Sequence, residues 1–454
     1  MGKIRFDRDG DRIVIASAKR LPIGQAGKSY AGVHSYMLGA HVAEQVIKDS
    51  GINRDEIDGV VCGEIGQSSK APNAARVISV KLGLPLGGTA ITVANNCVSG
   101  FEAVNEAARR IIMGENDVIL VIGEESMSNS PIYLDNVRRN AKTANVAKIK
   151  KNWSELGNMI EEGSVAVVDG VEEGLNDPIR DAMMFATAEI VAQKLGLTRK
   201  ELDDYAHGSY KKAYDAIEAG AYDKYIVKYD KDGVDLEKDE YIMSKAGFAE
   251  KRERFDKAPV IYENMPGGLE GLYDKFGEFI GKSYDDSKEA VVTLFNACPQ
   301  SDGAGALIMT TESKAKELGL EVQAIVKSWG YKGVDPAIMG LGIAYAMKEA
   351  LNNAELNWDD VGAFEIHEAF AATAYGSMVV SRDELGGDLV KKLEEGKVNP
   401  HGGTLAMGHP LGATGVRVAI NQLMDLDKFP DAKYVMGSIC AGGGVGGALI
   451  LERP

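Results

Sequence analysis

The stretch ITVANNCVSGFEAVNEAARR, residues 91–110, decides how this chain folds. Ile91 to Ala94 is an apolar run of strand length. Ala103, Val104, Ala107, Ala108, Ile111 and Ile112 then recur at helical spacing. A buried strand feeding a helix is the building unit of an α/β fold. Cys97 stands at the junction, at or just before the first helical turn. Unpaired backbone N–H groups and the positive end of the macrodipole favour an anion there, which lowers a thiol's pKa. A second reading is open, because a free cysteine also packs well as a small buried hydrophobe.

The same pattern runs outward from this stretch. RIVIASA (12–18) predicts a strand, GAHVAEQVIKDS (39–50) a helix, GVVCGEI (59–65) a strand and NAARVISVKLGL (73–84) a helix. TAITVA (89–94), the helix after Cys97 and the strand DVILVIGEE (117–125) complete the series. Such alternation predicts a largely parallel sheet with helices on both faces. From about 130 to 290 the chain is richer in Lys, Asp, Glu, Tyr and Met and has few strand-like runs. The α/β pattern resumes at AVVTLFNACPQSDGAGALIMTT (290–311) and continues through EVQAIVKSWGYKG (321–333) to KYVMGSICAGGGVGGALILE. We read this as one α/β unit interrupted by an inserted domain, followed by a second unit.

Composition bounds the function. A chain of 454 residues exceeds one ordinary core. Its formal charge of −16 disfavours nucleic acid and anionic membranes as partners, although local basic clusters can still hold a phosphorylated ligand. The basic run RRNAKTANVAKIKK (138–151) reads as a solvated helix face or an oligomer contact, part of which could meet phosphates. Four cysteines, Cys62, Cys97, Cys298 and Cys440, are widely spaced without a CxxC pair, which fits a reducing compartment and no zinc site. With no signal-peptide h-region and no apolar run of spanning length, a cytoplasmic protein without a membrane span is expected.

The two α/β units read as degenerate copies. In the first, Cys97 opens a helix and the next strand ends in GEES. In the second, His409 opens a helix (GHPLGATGVRVAI) and the next strand ends at Cys440. Packed side by side, they would bring these strand ends to one cleft, where open α/β sheets bind ligands. NPHGGTLAMGHPLGATG (399–415) and SICAGGGVGGA (438–448) are glycine-dense, which lets backbone come close to a ligand. A nucleophilic thiol, an imidazole base and a second thiol as proton donor are then present together. Gly442 to Gly447 does not read as a dinucleotide loop, since no βαβ unit follows it.

These motifs together resemble the thiolase family over essentially the whole chain. The resemblance rests on SAKRLPIG (17–24), GEIGQSSKAPNAAR (63–76), NNCVSGFEAV around Cys97, GEESMSNSP (123–131), TAEIVAQKLGLTRKELDDYAHGSY (187–210), NACPQSDGAGAL (296–307), HEAFAA (367–372), GGTLAMGHPLGATG and CAGGGVGG. It implies two βαβαβαββ halves in a layered α-β-α-β-α core. These are residues 1–126 completed by 291–319, and residues 320–454, with a loop domain at 127–290 for CoA binding and oligomer contacts. It implies thiolytic cleavage of 3-ketoacyl-CoA to acetyl-CoA and a shortened acyl-CoA, or the reverse condensation, with CoA as substrate and no metal or other cofactor.

The resemblance also assigns roles. Cys97 is the nucleophile, His409 its base and Cys440 the acid/base. His367 and His409 hold the enolate oxygen, and the N–H groups of Cys97 and Gly442 form the second oxyanion hole, each donor being worth about 3 kcal/mol. Met184, Cys298, Gly408 and Gly442 are placed near CoA or its acyl chain. Many members carry Asn where this chain has His367; its HEAF form resembles the thiolase component of fatty-acid-oxidation complexes, which leaves room for a hydratase/dehydrogenase partner. A homodimer or homotetramer is implied. Phe185 replaces the glycine of the usual MGxTAE pattern beside the acyl channel. Cys298 replaces a serine and reads better as a packing thiol, and His207 as a packing residue. A ketosynthase-like condensing enzyme and a non-catalytic acyl-CoA-binding relative are the competing readings.

Overall fold

The computed structural model describes residues 4–137, 153–265, 267–286 and 289–454; the basic run at 138–151 lies outside them. The first unit contributes β1 (Asp11–Arg20), α1 (Ser35–Ser50), β2 (Gly59–Gly63), α2 (Ala74–Lys81), β3 (Thr89–Val93), α3 (Ser99–Met113) and β4 (Val118–Ser126). Three longer helices follow, α4 (Met184–Leu195), α5 (Arg199–Glu218) and α6 (Gly268–Ile280), before β5 (Ser301–Thr311). The second unit holds β6 (Ala324–Gly333), α7 (Gly342–Ala354), β7 (Val361–Ile366), α8 (Ala371–Glu384), α9 (Thr414–Lys428), β8 (Tyr434–Ala441) and β9 (Val445–Glu452).

The strands run in the order β7-β8-β9-β6-β1-β5-β4-β2-β3, with Asp7–Arg8 and Gly24–Gln25 attached at the side. The sheet is mixed, which corrects the largely parallel sheet expected from the alternation. β2 is parallel to β3 and β4, and β7 to β8, whereas β5 and β9 run antiparallel to both neighbours. The reason lies in the connections. A three-residue turn, Gly442–Gly444, joins β8 to β9 and forces a hairpin. β5 pairs directly with β4, so the segment between them loops out of the sheet and back again. The order β1-β5-β4-β2 with its strand directions matches β6-β9-β8-β7, which makes the internal duplication visible in the hydrogen-bond ladders.

Period-two burial explains the layering. Val61, Ile119, Val121, Leu307 and Met309 enter one core with α3 residues such as Val104 and Ala108. Their neighbours Val60, Cys62, Leu120, Ile122 and Ile308 enter a second core with Leu38, Val42 and Val46 of α1. On the other half α7 covers β6 and β9, while α9 lies on β7 and β8. The middle layer is therefore α3 and α9, and they touch through glycine. Gly100 and Gly415 face each other so closely that a Cβ on Gly100 would sit 2.7 Å from the Gly415 nitrogen. A Cβ on Gly415 would collide with the Phe101 nitrogen.

Gly415→Ala should accordingly cost more than about 3 kcal/mol, because backbone rather than a flexible side chain must move. Gly208→Ala, on α5 with open space around it, should stabilise by about 0.5–1 kcal/mol. Denaturant melts of the two variants check this; equal stability of both would contradict the close crossing.

Candidate active site

Cys97 follows β3 and precedes the N-cap residue Val98 of α3. His409 stands five residues before α9, in a segment held by its own N–H to Pro299 O at 3.2 Å, so it does not open the helix as the sequence suggested. The cause is the turn Pro410–Ala413, which intervenes before helical bonding begins. Cys440 is the penultimate residue of β8. His367 follows β7, where its N–H continues the parallel ladder to Ser438 O at 2.9 Å. The first half thus delivers Cys97, and the second half His367, His409 and Cys440.

Cys97, His409 and Cys440 meet in the wall of a cavity of about 530 Å³, while His367 is not among its lining residues. Cys97, His409, Cys440, Met184 and Cys298 line it, together with apolar residues including Phe295. The His367 and His409 rings lie 4.3 Å apart between centroids, and His367 Nδ1 is 3.8 Å from Cys440 Sγ. Of the remaining sequence candidates, Gly442 lies against Met184, with a Cβ there 3.5 Å from its sulfur. Gly408 is not in the cavity wall: its φ of +112° carries the backbone past Ser301, where any side chain would collide. Its part is to place His409. His207 bonds Ala249 O at 3.2 Å, away from the cavity, and is structural.

The tautomer of His409 follows from its neighbour. Thr414 Oγ1 has one proton and donates it to Pro410 O at 2.8 Å. It must therefore accept from His409 Nδ1, 2.7 Å away. The Nε2 lone pair is left bare, and this buried atom has no protein partner. His367 Nε2 is likewise buried and unpartnered. Two imidazole nitrogens are thus aimed at nothing but each other's surroundings and the cavity.

Burial sets the proton chemistry. It pushes the Cys97 thiol up to about 12, against the opposing pull of the N–H groups of Gly442 and of Cys97 itself, which reach its sulfur. This corrects the expectation of a ready thiolate at the helix start: desolvation by the enclosing residues outweighs the helix terminus. Burial raises Cys440 further. It lowers His409 to about 3, helped by the positive charge of Arg417, and lowers His367 well below its usual value. The resting site is neutral throughout.

Groups outside the sequence candidates hold this arrangement. Asn96 Nδ2 donates to Gly442 O at 2.8 Å, Asp177 Oδ2 accepts from Gly443 N–H at 2.9 Å, and Val334 N–H bonds Gly444 O at 2.7 Å. The turn carrying the Gly442 N–H is pinned from three sides. Glu125 accepts from the N–H groups of Ile65, Gly66 and Gly412, tying the first half to the His409 segment. Glu368 of HEAF takes bonds from Tyr205, Ser209, Asn399 and Leu405, fixing α5 and residues 399–405 beside His367. Thr414, Glu125 and Glu368 all fall inside motifs quoted above, but their partners are distant in sequence.

Among the described residues, Glu365, His401 and Asp425 have ligand-type atoms within 4.8 Å of one another. Arg417, Lys212 and Lys428 bring positive charge to the same buried cluster. Burial pushes the Glu365 carboxyl up to about 8 and that of Asp425 well above its usual value, against the pull of these cations.

Comparison with known proteins agrees with this geometry. Residues 13–258 match the model for the thiolase N-terminal domain, and residues 320–453 that for the thiolase C-terminal domain. A "Probable acetyl-CoA acyltransferase" of Staphylococcus aureus is 33% identical over 443 residues, covering 97% of this chain and 99% of that protein. The acetyl-CoA acetyltransferase structure from Syntrophomonas wolfei superposes with a TM-score of 0.82 at 29% identity, over 98% of this chain and 99% of that one. Human mitochondrial 3-ketoacyl-CoA thiolase, solved in complex with CoA, gives 0.81 at 26% identity, over 98% of both chains. The chain belongs to the thiolase family.

Thr414→Val keeps the shape of the side chain but removes the acceptor that fixes His409. We expect kcat to fall by about 10²-fold, the usual scale for a misplaced general base, with KM little changed. Steady-state kinetics alongside a thermal melt check this. An unchanged kcat in a folded variant would contradict the assigned tautomer.

Proposed function

We propose that this enzyme transfers acyl groups between CoA and Cys97, cleaving 3-ketoacyl-CoA with CoA or running the reverse condensation. The observation that carries the reading is the convergence of Cys97, Cys440 and a His409 with a bare Nε2 on one mostly apolar cavity.

In the cleaving direction, Cys97 Sγ attacks the 3-keto carbon while His409 Nε2 takes the thiol proton. The N–H groups of Cys97 and Gly442 serve the tetrahedral oxyanion. The Cα–Cβ bond then breaks, leaving the acyl group on Cys97 and releasing acetyl-CoA as its enolate. His409, now carrying the proton at Nε2, donates to the enolate oxygen. His367 does the same if its Nδ1 accepts from the Cys440 thiol, which puts its own ring proton on Nε2. Cys440 protonates the enolate carbon, and its thiolate next takes the proton of incoming CoA as that sulfur attacks the acyl-cysteine; Cys97 leaves as its thiolate and recovers its proton from His409 Nε2. Condensation is the same path reversed. A thiol suits the exchange because its reference pKa, near 8.5, can be tuned towards working pH.

A decarboxylating condensing enzyme would work with a cysteine and two histidines. A second thiol 3.8 Å from His367 favours the thiolase reading. CoA enters as substrate, and the reading requires no other cofactor. It also takes residues 127–290 as the loop domain that meets CoA, and the protein as a cytoplasmic homodimer or homotetramer. Ile132, Leu134 and Val167 support an oligomer contact, standing exposed on a ribbon formed by Ile132–Asp135 and Ala166–Asp169. No helix among the described residues is long and apolar enough to cross a membrane.

The two cysteines can be separated experimentally. Cys440→Ser should still take label from acetyl-CoA onto the enzyme, while 3-ketoacyl-CoA formation falls by about 10²–10⁴-fold, the scale of general acid–base catalysis. Normal turnover, or no bound label, would show that the work is divided differently.

A further inference from the structure

A second pocket, of about 370 Å³ and open to solvent along Glu172, Glu173 and Asp181, lies across Met183 and Phe185 from the catalytic cavity, at its rear, and is bounded by α6, the Ile261–Asn264 turn and the start of α4. Met183 and Phe185 stand in the walls of both cavities. Their neighbours divide: Met184 lines the catalytic cavity, whereas Ala186 lines only the rear one. Successive helical residues point about 100° apart, so Phe185 projects between the two spaces. Its ring packs against the main core that holds the catalytic residues and against the smaller core of α6. Tyr262 meets it edge-on, with ring centroids 5.8 Å apart.

We propose that Phe185 is the partition that restricts this enzyme to short 3-ketoacyl chains, an inference that rests on the thiolase reading above. The 530 Å³ of the catalytic cavity must hold the thioester, the inner end of CoA and the acyl chain together. A longer chain has to pass the Phe185 ring to reach the rear cavity. The character of that cavity sets what an opened enzyme would accept. Leu272, Phe276 and Tyr262 offer an apolar surface next to Phe185, while Glu172, Glu173 and Asp181 stand at its rim. Lys275 is already paired with Asp181 at 2.9 Å. A plain alkyl chain fits this surface; a chain ending in a carboxylate meets like charge.

The test is kcat/KM for acetoacetyl-CoA, 3-ketohexanoyl-CoA and 3-ketodecanoyl-CoA, with the wild type, Phe185→Ala and Phe185→Leu. The wild type should lose activity steeply with chain length. Phe185→Ala should raise the decanoyl-to-acetoacetyl ratio by at least about tenfold, the lower end of what one methylene's fit is worth in such pockets. Phe185→Leu, which retains apolar packing against Tyr262, should move the ratio the same way by less, and it carries the test should the alanine variant not fold. In the opened variant the ω-carboxylated analogue of the ten-carbon substrate should gain less than the alkyl one. An unchanged ratio in folded variants, or a wild type that cleaves the long chain as well as the short, would overturn the assignment to Phe185. Absence of turnover with every chain length in the wild type would instead contradict the thiolase reading itself.

Discussion

The structure depends on one backbone contact, the crossing of α3 and α9 at Gly100 and Gly415. Each helix begins shortly after a residue of the site, Cys97 in one case and His409 in the other. Any side chain at the crossing would push the helices apart, and with them the nucleophile and its base. Gly123 and Gly412 extend the same seam: a Cβ on Gly123 would lie 2.8 Å from Gly412 O. The glycines that look like loose joints in the sequence are the places where two halves are pressed together. Close helix packing of this kind is stiff, and a reaction needing several groups in fixed register benefits from it.

Stiffness has an electrostatic consequence. Burial pushes the thiols up and the imidazoles down, which leaves these groups neutral at rest. In such a site a fixed dipole acts more strongly than it would in water. The N–H groups of Gly442 and Cys97 reach the Cys97 sulfur, and the hairpin turn that carries one of them is held by Asn96, Asp177 and Val334. In the proposed reaction, charge develops where these donors stand.

Much of this was legible in the chain. Cys97, His409, Cys440 and His367 sit in short glycine-rich or HEAF motifs whose chemistry can be read locally, and the structure brings all four together. The alternation of strand and helix gave the α/β class but misled on strand direction, because the antiparallel β5 and β9 are set by a long excursion and a tight hairpin rather than by hydrophobic period. The state of the Cys97 thiol was also misread. A helix start is visible in sequence, whereas the enclosing surface comes from residues as distant as Met184 and Phe295. Thr414 lay in a quoted motif, yet its hold on His409 appears only once Pro410 O is seen to take its proton. Phe185 stood out as a departure from the family pattern, but its place between two cavities needed coordinates.

In the proposed reaction Cys97 is the residue that carries the acyl group. Incubating the wild-type enzyme with acetyl-CoA, quenching in acid and mapping the peptides by mass spectrometry tests it most directly. One acetyl group on the peptide containing Cys97, absent from Cys97→Ala, is the predicted result. Acetyl found instead on Cys440 or Cys298, or retained in Cys97→Ala, would contradict it.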